Sequence, residues 1–312
     1  MAIFTGHYLK EEITRVEKYI TKVNAGINRT LLLDLILSGG NVVRAESEYF
    51  QWKIEMTEDL EAWMYEGVLE GAEYGKSGTD PKRTLLTNNC QIFKQVAEIS
   101  GTAMALQGNV EGISNELAKR VDEKLILAKR ALCKAILEGS IQNEDTSQNK
   151  PRKMNGLLNI IQNSIDLKGQ GITTKTFSDA MKLLDIQGNG GDRLCFVNGD
   201  LKEEIDRVFV ENTQNKVEIV AGNNTFGCLA NTIITNYGTV HVVLDHNMPE
   251  GQMMIFDPAE VYLKVLRPFS ISDVQVDADA HKRVIIGEYS VMMKNPYSAV
   301  KIINTKQTGE EI

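Results

Sequence analysis

Cysteine is scarce in this sequence, and its placement argues against two common roles. The four cysteines lie far apart and show no spacing typical of a metal site. Because disulfides are rare in cytosolic proteins, we expect free thiols buried in the core. These residues are Cys90, Cys133, Cys195 and Cys228.

The sequence also has no long apolar run, and its basic residues are fewer than its acidic ones. No run approaches the roughly 18 apolar residues that a membrane helix needs, so no membrane partner is predicted. Met1–Phe4 leads straight into charged residues, so we expect no secretory signal and a product that stays in the cytoplasm of its maker. The formal net charge of -8 argues against tight wrapping of nucleic acid, which needs a basic surface to displace counterions.

The sequence offers no cluster of catalytic residues. His241 and His246 lie near each other without a third ligand at close spacing, so no metal site is predicted. The glycine-rich segment 188–192 lacks the spacing of a dinucleotide-binding loop and the Lys-Ser/Thr of a P-loop, which favours a turn. No Ser-His-Asp or Cys-His arrangement can be argued from spacing. We therefore predict no catalytic residue and no cofactor.

What the sequence does contain is a C-terminal series of β-runs with nothing catalytic between them. Pro268 removes a backbone donor and is expected to end one of these runs. The predicted strands lie at 240–244, 253–257, 265–269, 284–291 and 299–303. A C-terminal sheet without catalytic residues indicates a structural or binding role.

One long amphipathic helix is predicted at 113–138, with Ser114 as its cap and Gly139 at its end. Its apolar stripe consists of Leu117, Val121, Leu125, Ala128, Leu132 and Ile136. A second amphipathic helix is predicted at 8–23, and we expect it to pack either on a neighbouring subunit or on the protein's own core. The stripe of the long helix is equally compatible with a strut and with an ordinary core helix.

The middle of the chain combines strands, a linker and a small α/β layer. A strand is predicted at 48–54, and the glycines between Asp59 and Asp80 favour a flexible surface loop. After a polar linker at 141–150, helices are predicted at 176–184, capped by Thr176, and at 201–210. Short strands are predicted at 194–197 and 217–220.

Several of these segments resemble, in colinear order, a major capsid family of tailed phages named after phage SU-ten. The Asp277–Ala280 segment departs from it, because Gly-Asp-Ser is more usual there. The resemblance covers about residues 45–305, and residues 1–45 match poorly. The matching patches are Arg83–Asn88, Gln91–Phe93, Pro151–Leu158, Phe256–Pro258, Leu266–Phe269, Lys282-Arg283, Glu288–Val291 and Lys294-Asn295.

This resemblance implies an α+β protein with the Hong Kong 97-type major capsid fold. The expected parts are an N-terminal arm at 1–45, an extended loop at 46–100 and an axial domain at 151–252. The peripheral domain is expected at 101–150 and 253–312 and contains the long helix as its spine. Strands at about 48–57 and 84–99 are expected to run out along the loop and back, with the glycine-rich segment at its tip.

The function implied is that of a major head protein that self-assembles into the icosahedral shell around double-stranded phage DNA, and not that of an enzyme. The implied partners are identical subunits in pentamers and hexamers, a portal, scaffold or decoration proteins, and packaged DNA without sequence-specific contact. Contacts between subunits are predicted for Tyr49, Trp52, Trp63, Tyr65 and Phe93, and a core role for Arg267 and Phe269. The alternative is an α+β enzyme or ligand-binding protein whose segment 59–80 acts as a lid.

Overall fold

The computed structural model describes residues 30–56, 70, 83–106, 116–187, 191–211, 220–221, 230–275 and 278–305. The predicted helix at 8–23 and the Ser114 cap lie outside these ranges. Of the predicted surface loop at 59–80, only Glu70 is described. No helix in the described part is long and apolar enough to cross a membrane.

The described residues form six helices and thirteen strands. The helices are α1 (Leu31–Ser38), α2 (Gly101–Leu106), α3 (Glu116–Glu138), α4 (Leu157–Ile160), α5 (Thr174–Gln187) and α6 (Gly199–Glu211). The first strands are β1 (Val42–Arg44), β2 (Tyr49–Glu55), β3 (Arg83–Asn89), β4 (Gln91–Ser100), β5 (Asn163–Asp166), β6 (Arg193–Val197) and β7 (Val220–Ala221). The remaining strands are β8 (Ala230–Thr235), β9 (Gly238–Leu244), β10 (Met253–Phe256), β11 (Val261–Val274), β12 (Ala280–Met293) and β13 (Val300–Ile303).

A four-stranded sheet with the order β1-β11-β12-β4 forms one half of the body. The prediction that Pro268 ends its strand is wrong, because β11 continues to Val274. The pairing with β12 shifts register between Val265 and Arg267 and again between Arg267 and Ser270. These irregularities place the proline in a bulge, where its missing N–H breaks no regular ladder.

Helix α3 packs along this sheet with the apolar stripe predicted from its periodicity. Its 23 residues extend for about 34 Å. Val121 and Leu125 pack on Ala97 and Ile285 of the sheet. Further along the helix, the buried Leu132, Cys133, Ile136 and Leu137 join the largest core cluster.

A seven-stranded sheet with the order β5-β13-β10-β6-β9-β8-β7 forms the other half. Residues of α5 and α6, including Phe177 and Phe209, pack with this sheet in a second core cluster. Helix α5 begins earlier than predicted. Its cap is Thr173, whose hydroxyl accepts a hydrogen bond from the Thr176 N–H at 3.3 Å, while the Thr176 hydroxyl accepts one from the Thr173 N–H. The prediction that Thr176 is the cap is therefore wrong.

Sheet membership bears on three predicted segments, whose domain boundaries stay predictions. Strands β10 and β13, expected in the peripheral domain, pair within the seven-stranded sheet. Strand β4, expected to continue the extended loop, pairs with β12 in the four-stranded sheet. Strand β1, expected in the arm, pairs with β11. Each of these pairings joins residues far apart in the chain, which strand periodicity cannot predict.

Candidate subunit interface

Strands β2 and β3 form a separate two-stranded antiparallel sheet, which we call the ribbon. Its register runs from Tyr49 opposite Asn89 to Glu55 opposite Arg83. In the part of the chain that the structure describes, neither ribbon strand pairs with a third strand. Because an isolated two-stranded sheet is only marginally stable in water, its order depends on what it touches.

The two faces of the ribbon differ. On the inner face, Phe50 stacks on Trp52 at a centroid distance of 5.7 Å, and Trp52 packs against the largest core cluster. The amino group of Lys264 lies 5.7 Å from the centroid of the Phe50 ring. On the outer face, Tyr49 is 45% exposed and Leu85 is 51% exposed, with Lys53 opposite Leu85.

The contact residues predicted from the sequence fall into different places. Tyr49 lies on the outer face, and Trp52 lies half-buried on the inner face. Phe93 is only 6% exposed and belongs to the largest core cluster, so its side chain is not free to contact a second subunit and this prediction is corrected. Trp63 and Tyr65 lie outside the described residues.

The two predicted core residues also differ from each other. The side chain of Arg267 is 50% exposed and pairs with Glu288 at 2.6 Å, so the prediction of a core role is wrong for this residue. The outward position follows from the irregular register around Pro268. Phe269 is half-buried, and its ring lies 4.8 Å from that of Tyr289, centroid to centroid. A Cβ on Gly287 would lie 2.7 Å from the Phe269 ring, so the glycine makes room for it.

The inner end of the ribbon is fixed to the body by a buried asparagine. Asn88 is fully buried, and its amide donates to the carbonyls of Val291 at 2.8 Å and Asn155 at 3.0 Å. Its side-chain oxygen accepts from the N–H groups of Asn155 at 2.7 Å and Asn89 at 2.8 Å. All four hydrogen-bonding positions of this side chain are therefore used, which avoids the cost of a buried unsatisfied group.

The next residue makes a second set of bonds. The Asn89 amide donates to the carbonyl of Gln142 at 3.1 Å and to the side-chain oxygen of Asn143 at 3.0 Å. The Ser290 hydroxyl donates to the Asn89 carbonyl at 2.7 Å. The two asparagines thus join the ribbon to β12 and to the segment that follows α3.

Arg152 completes this anchor with a side chain that is only 7% exposed. Its Nε donates to the Cys90 carbonyl, and Nη1 lies 2.9 Å from the Glu48 carboxylate. Nη2 lies 3.6 Å from the carboxylate of Glu288 on β12. The guanidinium also lies 5.9 Å from the centroid of the Tyr49 ring, within the range of a cation–π interaction.

Local patterns in the sequence do not predict this anchor. Asn88 and Arg152 both lie in patches that resemble the capsid family, yet they are separated by more than sixty residues. Periodicity describes which residues share a face of one element, and it says nothing about which distant loops meet. The resemblance of both patches to one family was the only available signal.

The three described cysteines are free and buried, as predicted for them, and Cys228 lies outside the described residues. Burial raises the pKa of Cys90 to about 11, partly opposed by the positive charge of Arg152. Burial raises the pKa of Cys133 to about 12 and raises that of Cys195 as well. These thiols are therefore protonated at neutral pH and are poor nucleophiles.

Among the described residues, no three His, Cys, Asp or Glu side chains are grouped closely enough to hold a metal ion. His241, one of the two histidines considered in the sequence, has its Nδ1 3.0 Å from the Thr232 hydroxyl.

Comparison with known proteins identifies the fold. The chain is similar in structure to the capsid asymmetric unit of cyanophage A-1(L), with a TM-score of 0.69, 9% identity and coverage of 94% of this chain and 97% of that chain. It is also similar to the holo-SrpI encapsulin complex from Synechococcus elongatus PCC 7942, with a TM-score of 0.60, 9% identity and coverage of 98% and 97%. A third similar structure is the capsid of the native GTA particle, with a TM-score of 0.59, 13% identity and coverage of 93% and 95%.

These likenesses confirm the predicted α+β capsid fold. No curated protein matches the chain. The family model described as SU10 major capsid protein matches residues 13–306. Because this match spans nearly the whole sequence, the chain belongs to the SU10 major capsid protein family.

Proposed function

We propose that the ribbon is the element through which this subunit contacts its neighbours in a closed icosahedral shell around double-stranded phage DNA. As a member of its family, the chain is a structural major capsid protein, and identical copies of it form the shell of a virion. The proposal adds which element carries the contact. The observation behind it is a two-stranded sheet whose outer face is left exposed by the chain's own body.

The composition of the outer face suits a contact with another protein. Tyr49 and Leu85 supply apolar area, and the ion pair between Arg83 and Glu55, at 2.9 Å, lies at the far end. Exposed apolar side chains among polar and charged ones, with an aromatic ring at one end, are typical of the surface of a protein interface. The exposed ion pair contributes little stability by itself, so the ribbon gains more from being covered than from its own charges.

We further propose the partners and setting that fit a shell subunit. A portal protein, with scaffold or decoration proteins, would complete the head, and assembly would take place in the host cytoplasm. The net charge of -8 supports contact with packaged DNA that is neither tight nor sequence-specific. We assign the subunit no catalytic activity, and the support for this is its membership of a capsid family.

The test compares two substitutions at one exposed position of the ribbon. Leu85→Asp replaces an exposed apolar side chain of the outer face with a charge, and we expect monomers and small oligomers in place of shells. Leu85→Met keeps the apolar surface and is the matched control, which should assemble normally. Particles are counted by negative-stain electron microscopy, and folding is checked by circular dichroism. Normal shells from folded Leu85→Asp would remove the ribbon from the interface.

A further inference from the structure

We propose that Arg152 is the positioning residue that fixes the direction in which the ribbon leaves the body, so that a subunit without this guanidinium folds but assembles poorly. This inference rests on the proposed function of the ribbon as the contact element. It assigns a role in assembly to a buried residue that lies outside the contact surface.

The guanidinium joins three separate parts of the chain. Glu48 and Cys90 flank the inner end of the ribbon, one before β2 and one after β3. Glu288 belongs to β12 in the four-stranded sheet. Glu144, 3.8 Å from Nη1, belongs to the segment that follows α3. One side chain therefore connects the base of the ribbon to two fixed parts of the body.

The geometry requires an arginine in particular. A planar guanidinium presents several donors in fixed directions, whereas a lysine ammonium is a compact charge without that fork. Here the donors point to a carbonyl and to carboxylates from different segments, and the side chain is almost fully buried. Removing the group leaves the Cys90 carbonyl without this donor and Glu288 without one of its two arginines, the other being Arg267.

Arg152 holds only one end of the ribbon, so a small change in the angle between the ribbon and the body displaces the other end. Seven residues of extended strand span roughly 23 Å. A tilt of about 10° at the base would therefore move the far end by roughly 4 Å, by simple trigonometry on that length. Packing contacts are lost over much smaller gaps, so a loosened base would misplace the outer face relative to a neighbouring subunit.

Asn88 and Asn89 hold the same end of the ribbon but do not replace Arg152. Their bonds go to β12, to the segment after α3 and to Asn155, and all of them come from the returning strand. Among the ion pairs of the described residues, only the pair between Glu48 and Arg152 joins the start of the outgoing strand to the body. Arg152 is thus placed to control the rotation of the ribbon about its returning strand.

The experiment compares Arg152→Gln and Arg152→Lys with Arg193→Gln. Arg193, on β6 of the seven-stranded sheet, is also a buried arginine, 2% exposed, whose Nη1 lies 2.9 Å from Asp257. Amide hydrogen exchange is measured over 48–55 and 83–92 in the unassembled subunits, and closed particles are counted by electron microscopy. We expect both Arg152 variants to speed exchange in the ribbon by about tenfold or more and to lower the yield of closed shells. Arg193→Gln should lower overall stability without a selective effect on the ribbon.

A milder variant keeps the test decisive if Arg152→Gln does not fold. Glu48→Gln removes the charge of a half-exposed partner, and it should produce the same selective change in exchange with a smaller effect. Unchanged exchange in the ribbon for folded Arg152→Lys and Glu48→Gln would overturn the inference, and so would normal shells from these variants. Failure of the wild-type chain to associate at all would instead overturn the proposed function of the ribbon.

Discussion

Gly156 donates its backbone N–H to the carbonyl of Gly139 at 2.7 Å, so the start of α4 packs directly against the end of α3. A Cβ on Gly156 would lie 2.4 Å from the Gly139 nitrogen and 2.6 Å from the Leu137 carbonyl oxygen. Only a residue without a side chain permits this approach. The contact joins the end of α3 to the segment that carries Arg152.

We therefore predict that Gly156→Ala destabilises the unassembled subunit by about 2 kcal/mol or more, because backbone must move to admit the methyl group. Urea denaturation followed by circular dichroism measures the free energy of unfolding. Gly199→Ala is the matched control, since a Cβ there meets nothing within 4 Å. Equal stability of the two variants would contradict the close packing.

Asn88→Ala is expected to cost about 2–4 kcal/mol of the free energy of unfolding. The substitution leaves the Asn155 N–H and the Val291 carbonyl without their partner in a buried site. Asn159→Ala removes an exposed side-chain bond to the Gly139 carbonyl and should cost less than about 1 kcal/mol. A loss no greater for Asn88→Ala than for this control would show that the anchor is not buried.

Phe93→Ala is expected to reduce stability by about 3–5 kcal/mol, because it opens a cavity in the core. Its neighbour Ile92 is 51% exposed, and Ile92→Ala should cost less than about 1 kcal/mol. Chemical denaturation of both variants measures the difference. A Phe93→Ala subunit that is as stable as the wild type but fails to assemble would restore Phe93 to the set of contact residues.

The stability of the subunit is expected to fall at alkaline pH partly through Cys90. Its pKa is raised from 9.0 to about 11 in the folded state, so the folded protein holds the proton more tightly than the unfolded chain. This contribution is complete below pH 9.0 and is lost as the pH rises toward about 11. Cys90→Ala should lose less stability than the wild type over that interval in denaturation experiments at each pH. Identical pH profiles would contradict the assignment.

Local sequence patterns predicted the elements better than their partners. The stripe from Val121 to Ile136 and the apolar runs around Val242 and Ile285 have periodicities that one element sets by itself. The sheet that each strand joins depends on contacts between residues far apart in sequence. For this reason the sheet that β10 and β13 join cannot be predicted from their own residues.

The errors at individual residues have similar causes. Proline has no backbone N–H to donate to a regular ladder, which is why Pro268 is predicted to end a strand. In the structure Pro268 lies in a bulge, where no ladder hydrogen bond requires that donor. Phe93 and Trp52 are both aromatic residues in runs that predict a strand. Phe93 is a core residue because its strand joins the four-stranded sheet, and Trp52 is a ribbon residue because its strand pairs, within the described ranges, only with β3. The role proposed for Arg152 depends on the meeting of the base of the ribbon, β12 and the segment after α3, and no local pattern indicates it.

Cryo-electron microscopy of the particles formed by the purified wild-type chain tests the central claim most directly. The account predicts closed shells in which the outer face of the ribbon, around Tyr49 and Leu85, is covered by a second subunit. A population of separate single subunits, or shells in which this face remains open to solvent, would contradict it.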